Sequence, residues 1–146
     1  MVELEAWYDV DHDGPTIVRT PAELDAVVDV VTGWEGRILV DLYVIGNPAR
    51  GLNVGIHGQT GRGALYYAAG HDEWFSKGTA PSPGWSPDET LLYYYMNNDT
   101  EFPGDCEIPL EAVRRAAHEF MATGGERPTV TDWQPRTPMP PAGSAE

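Results

Sequence analysis

Cysteine, basic side chains and long apolar runs are all scarce in this chain. The single cysteine, Cys106, excludes an internal disulfide framework and a cysteine-rich zinc site. Nine Lys and Arg residues stand against 23 Asp and Glu residues, a formal net charge of −14, which excludes direct binding to nucleic acid or to an anionic membrane. No apolar run approaches the length of about 18 residues that a membrane span needs, and no secretory signal is visible. These absences predict an acidic, soluble protein of the cytoplasm.

The length and the apolar content predict one folded domain. A chain of 146 residues buries roughly two-thirds of its unfolded surface, enough to fold without a metal or a disulfide. The hydrophobic fraction of 41%, with five Trp and seven Tyr, argues against disorder. Four prolines follow Gln134. We therefore predict a single domain over residues 1–134 and a Pro-rich flexible tail over residues 135–146.

Apolar periodicity predicts an N-terminal hairpin, two helices and further strands. Thr20-Pro21-Ala22-Glu23 resembles a capping box with Pro at the first helical position, and Gly33 is a suitable end for that helix. A second helix begins at Pro109 and ends at Gly124-Gly125. The predicted strands are residues 2–8, 15–19, 37–45, 52–57, 64–69, 91–96 and 128–133.

This order of elements predicts an α+β fold. Its sheet is mostly antiparallel, a hairpin plus a meander, with two amphipathic helices packed on it. The segment from Gly70 to Asp88 has no regular pattern and is predicted to be a long loop. Loops of that length are uncommon unless they carry a function.

An acidic turn at Asp9-Val-Asp-His-Asp-Gly14 offers an alternative function. Carboxylates at the first, third and fifth positions and glycine at the sixth match the opening of a calcium loop. The twelfth position is Thr20 instead of a bidentate Glu, and strands flank the turn where helices would be needed. The alternative is therefore a small ligand- or calcium-binding domain, and the simpler interpretation is an acidic hairpin turn.

No pattern marks a catalytic or metal site, so we predict no enzyme, no catalytic residue, no metal and no cofactor. The glycines between 55 and 63 lack the Lys-Ser/Thr of a phosphate loop. Cys106 lies between Asp105 and Glu107, which should raise its thiol pKa, and it is expected to be an ordinary semi-buried thiol. An enzyme that uses an unmarked pair of carboxylates stays open as a third possibility.

The placement of the acidic residues points to a basic protein partner. One block ends at Glu35 and holds a single basic residue, Arg19; a second lies between Asn97 and Pro109 and holds none. Negative potential attracts the cationic groove of a protein that handles nucleic acid, and aromatic side chains supply anchors in such an interface. The residues that we predict to bind this partner combine acidic and aromatic side chains: Asp72, Trp74, Trp85, Tyr94, Asp99, Glu101 and Asp105.

The chain also resembles the Imm1 family of bacterial immunity proteins, found in polymorphic toxin systems and especially in actinobacteria. An ordered set of segments carries the resemblance, and its strongest member is Glu119-Phe-Met-Ala-Thr-Gly-Gly-Glu-Arg-Pro128, closing on Trp133-Gln134. The other segments are Gly14–Leu24, Val54–His57, Gly63–Tyr67, Trp74–Gly78, Glu101–Pro103 and Ile108–Arg115.

The resemblance implies an α+β immunity protein that binds the C-terminal domain of a cognate toxin. Such toxins are commonly of the deaminase superfamily and sometimes nucleases. The family is not enzymatic, and its shared Pro, Gly and Trp positions resemble determinants of the fold. We therefore expect stoichiometric occlusion of the toxin, with no direct contact to nucleic acid or membrane. Self-association is left undetermined.

Overall fold

A computed structural model describes residues 2–9, 11, 13–79, 89–96 and 98–136. Two helices and ten strands are present in this part of the chain. The helices are α1 (Pro21–Thr32) and α2 (Leu110–Thr123). The strands are β1 (Leu4–Trp7), β2 (Thr16–Val18), β3 (Ile38–Val44), β4 (Asn47–His57), β5 (Arg62–Ala69), β6 (Asp72–Lys77), β7 (Thr90–Tyr95), β8 (Asn98–Pro103), β9 (Ile108–Pro109) and β10 (Asp132–Pro135).

The predicted fold class is confirmed: the chain is α+β, and all but one of its strand pairings are antiparallel. Strands run in the order β10-β6-β5-β4-β3-β1-β2. The N-terminal hairpin β1–β2 is confirmed, and β3, β4 and β5 form the first three strands of the predicted meander, which β6 continues in place of the predicted strand over 91–96. Both helices pack on one side of this sheet, here called the helix side, through the main apolar core.

Helix α1 begins where its capping residues predict. The side chain of Thr20 accepts the backbone N–H of Glu23 at 3.1 Å, and the Glu23 carboxylate accepts the N–H of Arg19 at 2.6 Å. These bonds satisfy donors that a helix start leaves unpaired. At its other end, Gly33 caps the helix as predicted. The apolar stripe from Leu24 to Val31 is thereby turned onto the sheet.

Consecutive residues of the central strands face opposite sides of the sheet. Val40 joins the core on the helix side, while Leu39 belongs to a smaller core on the opposite side. A hairpin of β7 and β8 covers that second core through Leu91, Tyr93 and Phe102. We call this the hairpin side of the sheet. Two layers therefore cover β3, which explains why it is apolar on both faces.

The predicted loop between Gly70 and Asp88 is wrong in its first part, because residues 72–77 form β6 and pair with β5. Alternation is weak in this stretch since both faces carry aromatic and polar residues. Strands β8 and β9 are also absent from the prediction. The predicted meander strand over 91–96 corresponds to β7, but it contacts β3 in parallel, next to Ile38, instead of continuing the meander.

The C-terminal part of the fold ends in strand β10, which pairs with β6. Pro135 is its last residue, and the backbone N–H of Arg136 donates to the carbonyl of Glu73 at 3.0 Å. The folded part therefore continues two residues beyond the predicted boundary at 134. The rest of the predicted flexible tail, residues 137–146, lies outside the described residues.

Candidate functional site

The outer face of the β7–β8 hairpin combines exposed apolar and acidic side chains. Alternation along β7 turns Leu92 and Tyr94 outward, and the pairing register sets them opposite Glu101 and Asp99. Leu92 is 51% exposed and Tyr94 is 40% exposed. These four residues are called the hairpin face. Of the seven residues predicted to bind a partner, the structure brings together Tyr94, Asp99 and Glu101 on this face.

The two carboxylates of the hairpin face are available for a partner. Asp99 and Glu101 are exposed and make no hydrogen bond or ion pair with the described part of the chain. Leu92 completes the face, although the sequence prediction did not include it. Its position two residues from Tyr94 in a strand was the signal that could have identified it.

The inner face of the hairpin is fixed to the sheet by Tyr93. This ring is fully buried and lies against Gly55 of β4, where an added Cβ would stand 2.6 Å from Tyr93 Cε2. A residue with a side chain therefore cannot occupy position 55 without moving the ring. The Tyr93 hydroxyl donates to Glu107 Oε2 at 2.6 Å. Burial, followed by the nearby Glu107 charge, raises the pKa of Tyr93 well above its ordinary value.

Glu107 is the centre of a buried ionic network beneath the hairpin. Its carboxylate is 1% exposed and contacts Arg37 Nε at 2.8 Å and Arg62 Nε at 3.7 Å. The backbone N–H of Tyr94 donates to the carbonyl of Arg37 at 2.7 Å, which ties β7 to the same place. Pairing with two arginines offsets much of the cost of burying a charged carboxylate. The network therefore holds the hairpin in position, and Glu107 is not available to a partner.

Asp105 is also occupied within the fold. Its side chain is 15% exposed, lies 2.8 Å from Lys77 Nζ and accepts Gln134 Nε2 at 3.0 Å. Burial alone would raise the pKa of Asp105, but the hydrogen bonds from Lys77 and Gln134 outweigh it, so the pKa is lowered. The carboxylate joins β6, β10 and the segment before β9. This placement separates Asp105 from the hairpin face.

Asp72 and Trp74 lie on the helix side of the sheet, away from the hairpin face. Both line an open depression that also contains Arg50 and Arg127. The Arg127 guanidinium stands 4.3 Å from the centre of the Trp74 ring, a cation–π contact. The hairpin of β7 and β8 covers the other side of the sheet. Asp72 and Trp74 therefore do not form one continuous surface with the hairpin face. Trp85, the remaining predicted residue, lies outside the described residues.

Asp41 is a buried carboxylate beside the hairpin. It is 7% exposed in the middle of β3, and its Oδ2 accepts the Tyr43 hydroxyl at 3.2 Å. Its Oδ1 has no hydrogen-bond partner in the described part of the structure. Burial raises the pKa of Asp41 to about 6, against the opposing hydrogen bonds of Tyr43 and Tyr95. Asp41 is the one charged residue in the otherwise apolar sequence of β3.

The thiol of Cys106 is fully buried, not semi-buried as expected. Burial is the largest cause of its raised pKa, and the charges of Glu107 and Asp105 add to it. The predicted direction of the shift is therefore confirmed. A thiol kept protonated in a closed core is unsuited to nucleophilic chemistry.

The acidic turn does not support a calcium site, and the two helices do not support a membrane span. Within the described ranges, no three His, Cys, Asp or Glu residues are grouped to hold a metal ion. Asp9 Oδ1 instead accepts the backbone N–H of Asp11 at 3.0 Å, as in an ordinary turn. Over the same residues, neither α1 nor α2 is long and apolar enough to cross a membrane.

An exposed apolar and acidic face on a hairpin that is fixed from below is suited to binding another protein. The sequence profile of one family, immunity protein Imm1, matches residues 12–135. This match covers most of the chain, which therefore belongs to the Imm1 family of immunity proteins. The predicted resemblance is confirmed. No curated protein sequence matches the chain.

Proposed function

We propose that this chain neutralises a cognate toxin by binding it stoichiometrically through the hairpin face. Membership of an immunity protein family implies toxin immunity. The finer proposal rests on one observation of the hairpin face. There, exposed Leu92 and Tyr94 stand directly across from two exposed carboxylates, which have no partner among the described residues. Apolar and aromatic anchors surrounded by charges are the usual composition of a tight interface.

The charge of the hairpin face selects the kind of toxin. Asp99 and Glu101 favour a cationic partner and disfavour an anionic one. A protein that acts on DNA or RNA needs a cationic cleft to hold phosphates. We therefore propose a nucleic-acid deaminase or nuclease domain as the toxin, with the hairpin face over its substrate cleft in the cytoplasm. In this role the chain makes no covalent bond and needs no cofactor.

The end of β1 extends the acidic region. Trp7 pairs with Asp41 of β3, and Tyr94 pairs with Ile38 further along the same edge of that strand. The turn that follows β1, with Asp9, Asp11 and Asp13, is therefore attached at the same end of β3 as the hairpin. We infer that this turn contributes long-range attraction, while the hairpin face makes the contacts.

The test uses the C-terminal toxin domain encoded beside this chain. Mixing the two purified proteins should give a 1:1 complex in light scattering and abolish toxin activity at equimolar ratio. Leu92→Ala should weaken binding by at least about tenfold in calorimetry, because it removes an anchor from the interface. The matched control is Val30→Ala on α1, an aliphatic residue of similar exposure (49%) on the helix side.

The outcomes separate the general proposal from the proposed surface. Absence of a complex, or full toxin activity in the presence of excess immunity protein, contradicts the proposed function. A stable complex that Leu92→Ala leaves unchanged and Val30→Ala weakens moves the interface to the helix side.

A further inference from the structure

A groove of about 470 Å³ lies on the hairpin side of the sheet, between β8 and the C-terminal strand. Its floor is aromatic: the rings of Tyr66 and Phe75 are 5.0 Å apart, and those of Phe75 and Phe102 are 5.1 Å apart. Thr100 and Glu101 of β8 form one wall. Glu101 therefore belongs both to this groove and to the hairpin face. The groove continues the proposed interface onto the sheet.

An unpaired amide lies in the floor of the groove. Asn53 of β4 is half-buried, and its side chain makes no hydrogen bond with the described residues. A side-chain amide offers both a donor and an acceptor, which suits the N–H and C=O of a peptide backbone. Asn53 is therefore placed to bond with the backbone of a peptide that lies in the groove.

The wall of the groove is an edge strand. Among the described strands, β8 pairs with β7 alone, so its other edge faces the groove without a strand neighbour. An edge of this kind pairs readily with an extended segment of another chain. The backbone groups of a helix are already bonded to each other, so a helix would leave both the edge of β8 and the Asn53 amide without partners. The occupant should therefore be extended.

The charges of the groove select a basic occupant. Arg136, at the wall opposite β8, is already paired with Glu73, whereas Glu101 has no cationic partner in the described part of the chain. The uncompensated charge is thus negative and favours a Lys or Arg side chain. A second copy of this chain is a poor occupant, because its net charge of −14 opposes self-association at an acidic site.

We propose that the groove receives an extended segment of the toxin that carries a Lys or Arg side chain. The segment adds to the free edge of β8, its backbone bonds to Asn53, and its basic side chain lies against Glu101. This inference rests on the proposed function and names the part of the toxin that the interface engages.

The experiment compares dissociation of the complex between the full chain and the neighbouring toxin domain. Asn53→Leu keeps the size of the side chain and removes both polar groups, so it should raise the dissociation rate by about tenfold. The matched control is Asn47→Leu, the same change at an exposed position of the same strand. Unfolding midpoints of both variants show whether the fold is kept.

Two further measurements do not depend on the Asn53 variant folding correctly. Glu101→Gln should slow association several-fold, whereas Glu111→Gln, the same change on exposed α2, should not. A photo-cross-linking residue at Thr100 should attach to one toxin segment containing Lys or Arg. The same residue at Val30 should give no such product.

Each result decides one of the two proposals. Cross-linking from position 100 together with faster dissociation of Asn53→Leu supports the groove. An unchanged dissociation rate in folded Asn53→Leu, or cross-linking from position 30 alone, overturns it while toxin binding itself stands. If the unmodified chain does not bind the toxin domain, the proposed function and the groove both fail.

Discussion

Carboxylate side chains have different roles in this chain, and the burial of each one determines its role. Glu107 is enclosed by two arginines, Asp41 is buried and Glu101 is exposed. Within the described residues, one oxygen of Asp41 and the whole Glu101 carboxylate have no partner. All three carry a carboxylate in a strand or next to one. A paired, enclosed carboxylate supports the fold, whereas an exposed, unpaired one can attract a partner.

Asp41 should make the stability of the fold depend on pH. Burial raises its pKa from 3.8 to about 6, so the folded chain holds this proton more tightly than the unfolded chain. The contribution of protonated Asp41 to the free energy of unfolding is complete below pH 3.8 and is lost as the pH rises through about 6. Asp41→Asn should therefore gain about 1–3 kcal/mol in the free energy of unfolding at pH 8 and almost nothing at pH 4.

Urea denaturation of both proteins at several pH values measures this difference. Subtracting the two curves removes the effects of carboxylates whose pKa is lowered, such as Asp25 and Glu73, because both proteins contain them. Asp99→Asn, a change at an exposed carboxylate, serves as the control. A gain that is the same at pH 4 and pH 8 would show that Asp41 is not the titrating group.

At the scale of the element, the two faces of the β7–β8 hairpin have different roles, because side chains alternate along a strand. The inner face packs on the sheet, and the outer face is open to a partner. Tyr93 points into the second core and reaches Glu107, while its neighbours Leu92 and Tyr94 point outward. The close approach of Tyr93 to Gly55 leaves the hairpin little freedom. A fixed hairpin loses less conformational entropy when it binds, which favours affinity.

Tyr93→Phe should destabilise the fold, because it removes one hydroxyl from the buried network and leaves Glu107 with fewer partners. We expect a loss of about 1–3 kcal/mol in the free energy of unfolding. Tyr8→Phe is the same substitution at a hydroxyl that makes no hydrogen bond within the described part of the chain, so it should change stability by less than about 0.5 kcal/mol. Guanidinium denaturation measures both variants, and equal losses would contradict the assigned roles.

At the scale of the whole molecule, most of the positive charge is neutralised within the fold. Six of the nine basic side chains form ion pairs with acidic residues: Arg19, Arg37, Arg62, Lys77, Arg114 and Arg136. The remaining acidic side chains give the surface its negative potential. A potential of one sign raises the rate of encounter with a partner of the opposite sign.

Reversing two charges of the hairpin face should therefore slow association with the toxin. Asp99→Lys combined with Glu101→Lys should lower the association rate about tenfold or more at low salt and make it less sensitive to ionic strength. Stopped-flow measurement at several salt concentrations gives both quantities. The control is Glu111→Lys with Glu126→Lys, the same change of net charge at exposed positions on the helix side. Equal slowing by the two pairs would mean that net charge alone, not this face, directs the encounter.

The C-terminal residues test the extent of the domain. Truncation after Arg136 should leave the free energy of unfolding within about 0.5 kcal/mol of the full chain, since β10 and its bonds are kept. Truncation after Val130 removes the Trp133 ring, which packs against Tyr67 and donates to the carbonyl of Pro128. This second change should cost several kcal/mol. A large loss in the first truncation would assign a structural role to residues 137–146.

Local patterns in the sequence were sufficient to predict α1, the N-terminal hairpin and the fold class. A capping residue, an apolar stripe and a turn act over a few positions, so their consequences can be derived from neighbouring residues. The family resemblance rests likewise on short segments in order. By contrast, the sequence pattern did not predict β6 or β8. Both faces of β6 mix aromatic and polar residues, and β8 is mostly polar, with Phe102 as its one buried apolar residue.

The candidate site depends on contacts between distant segments, and only the tertiary structure decided it. Nothing local distinguishes Asp105 from Asp99, yet one carboxylate meets Lys77 and Gln134 across strands and the other faces outward. Likewise, Asn53 and Glu101 are 48 positions apart and line one groove because β8 crosses the hairpin side of the sheet. Composition determined the sign of the charge and local pattern determined the elements. Packing decided which charges are neutralised inside the fold and which are left for a partner.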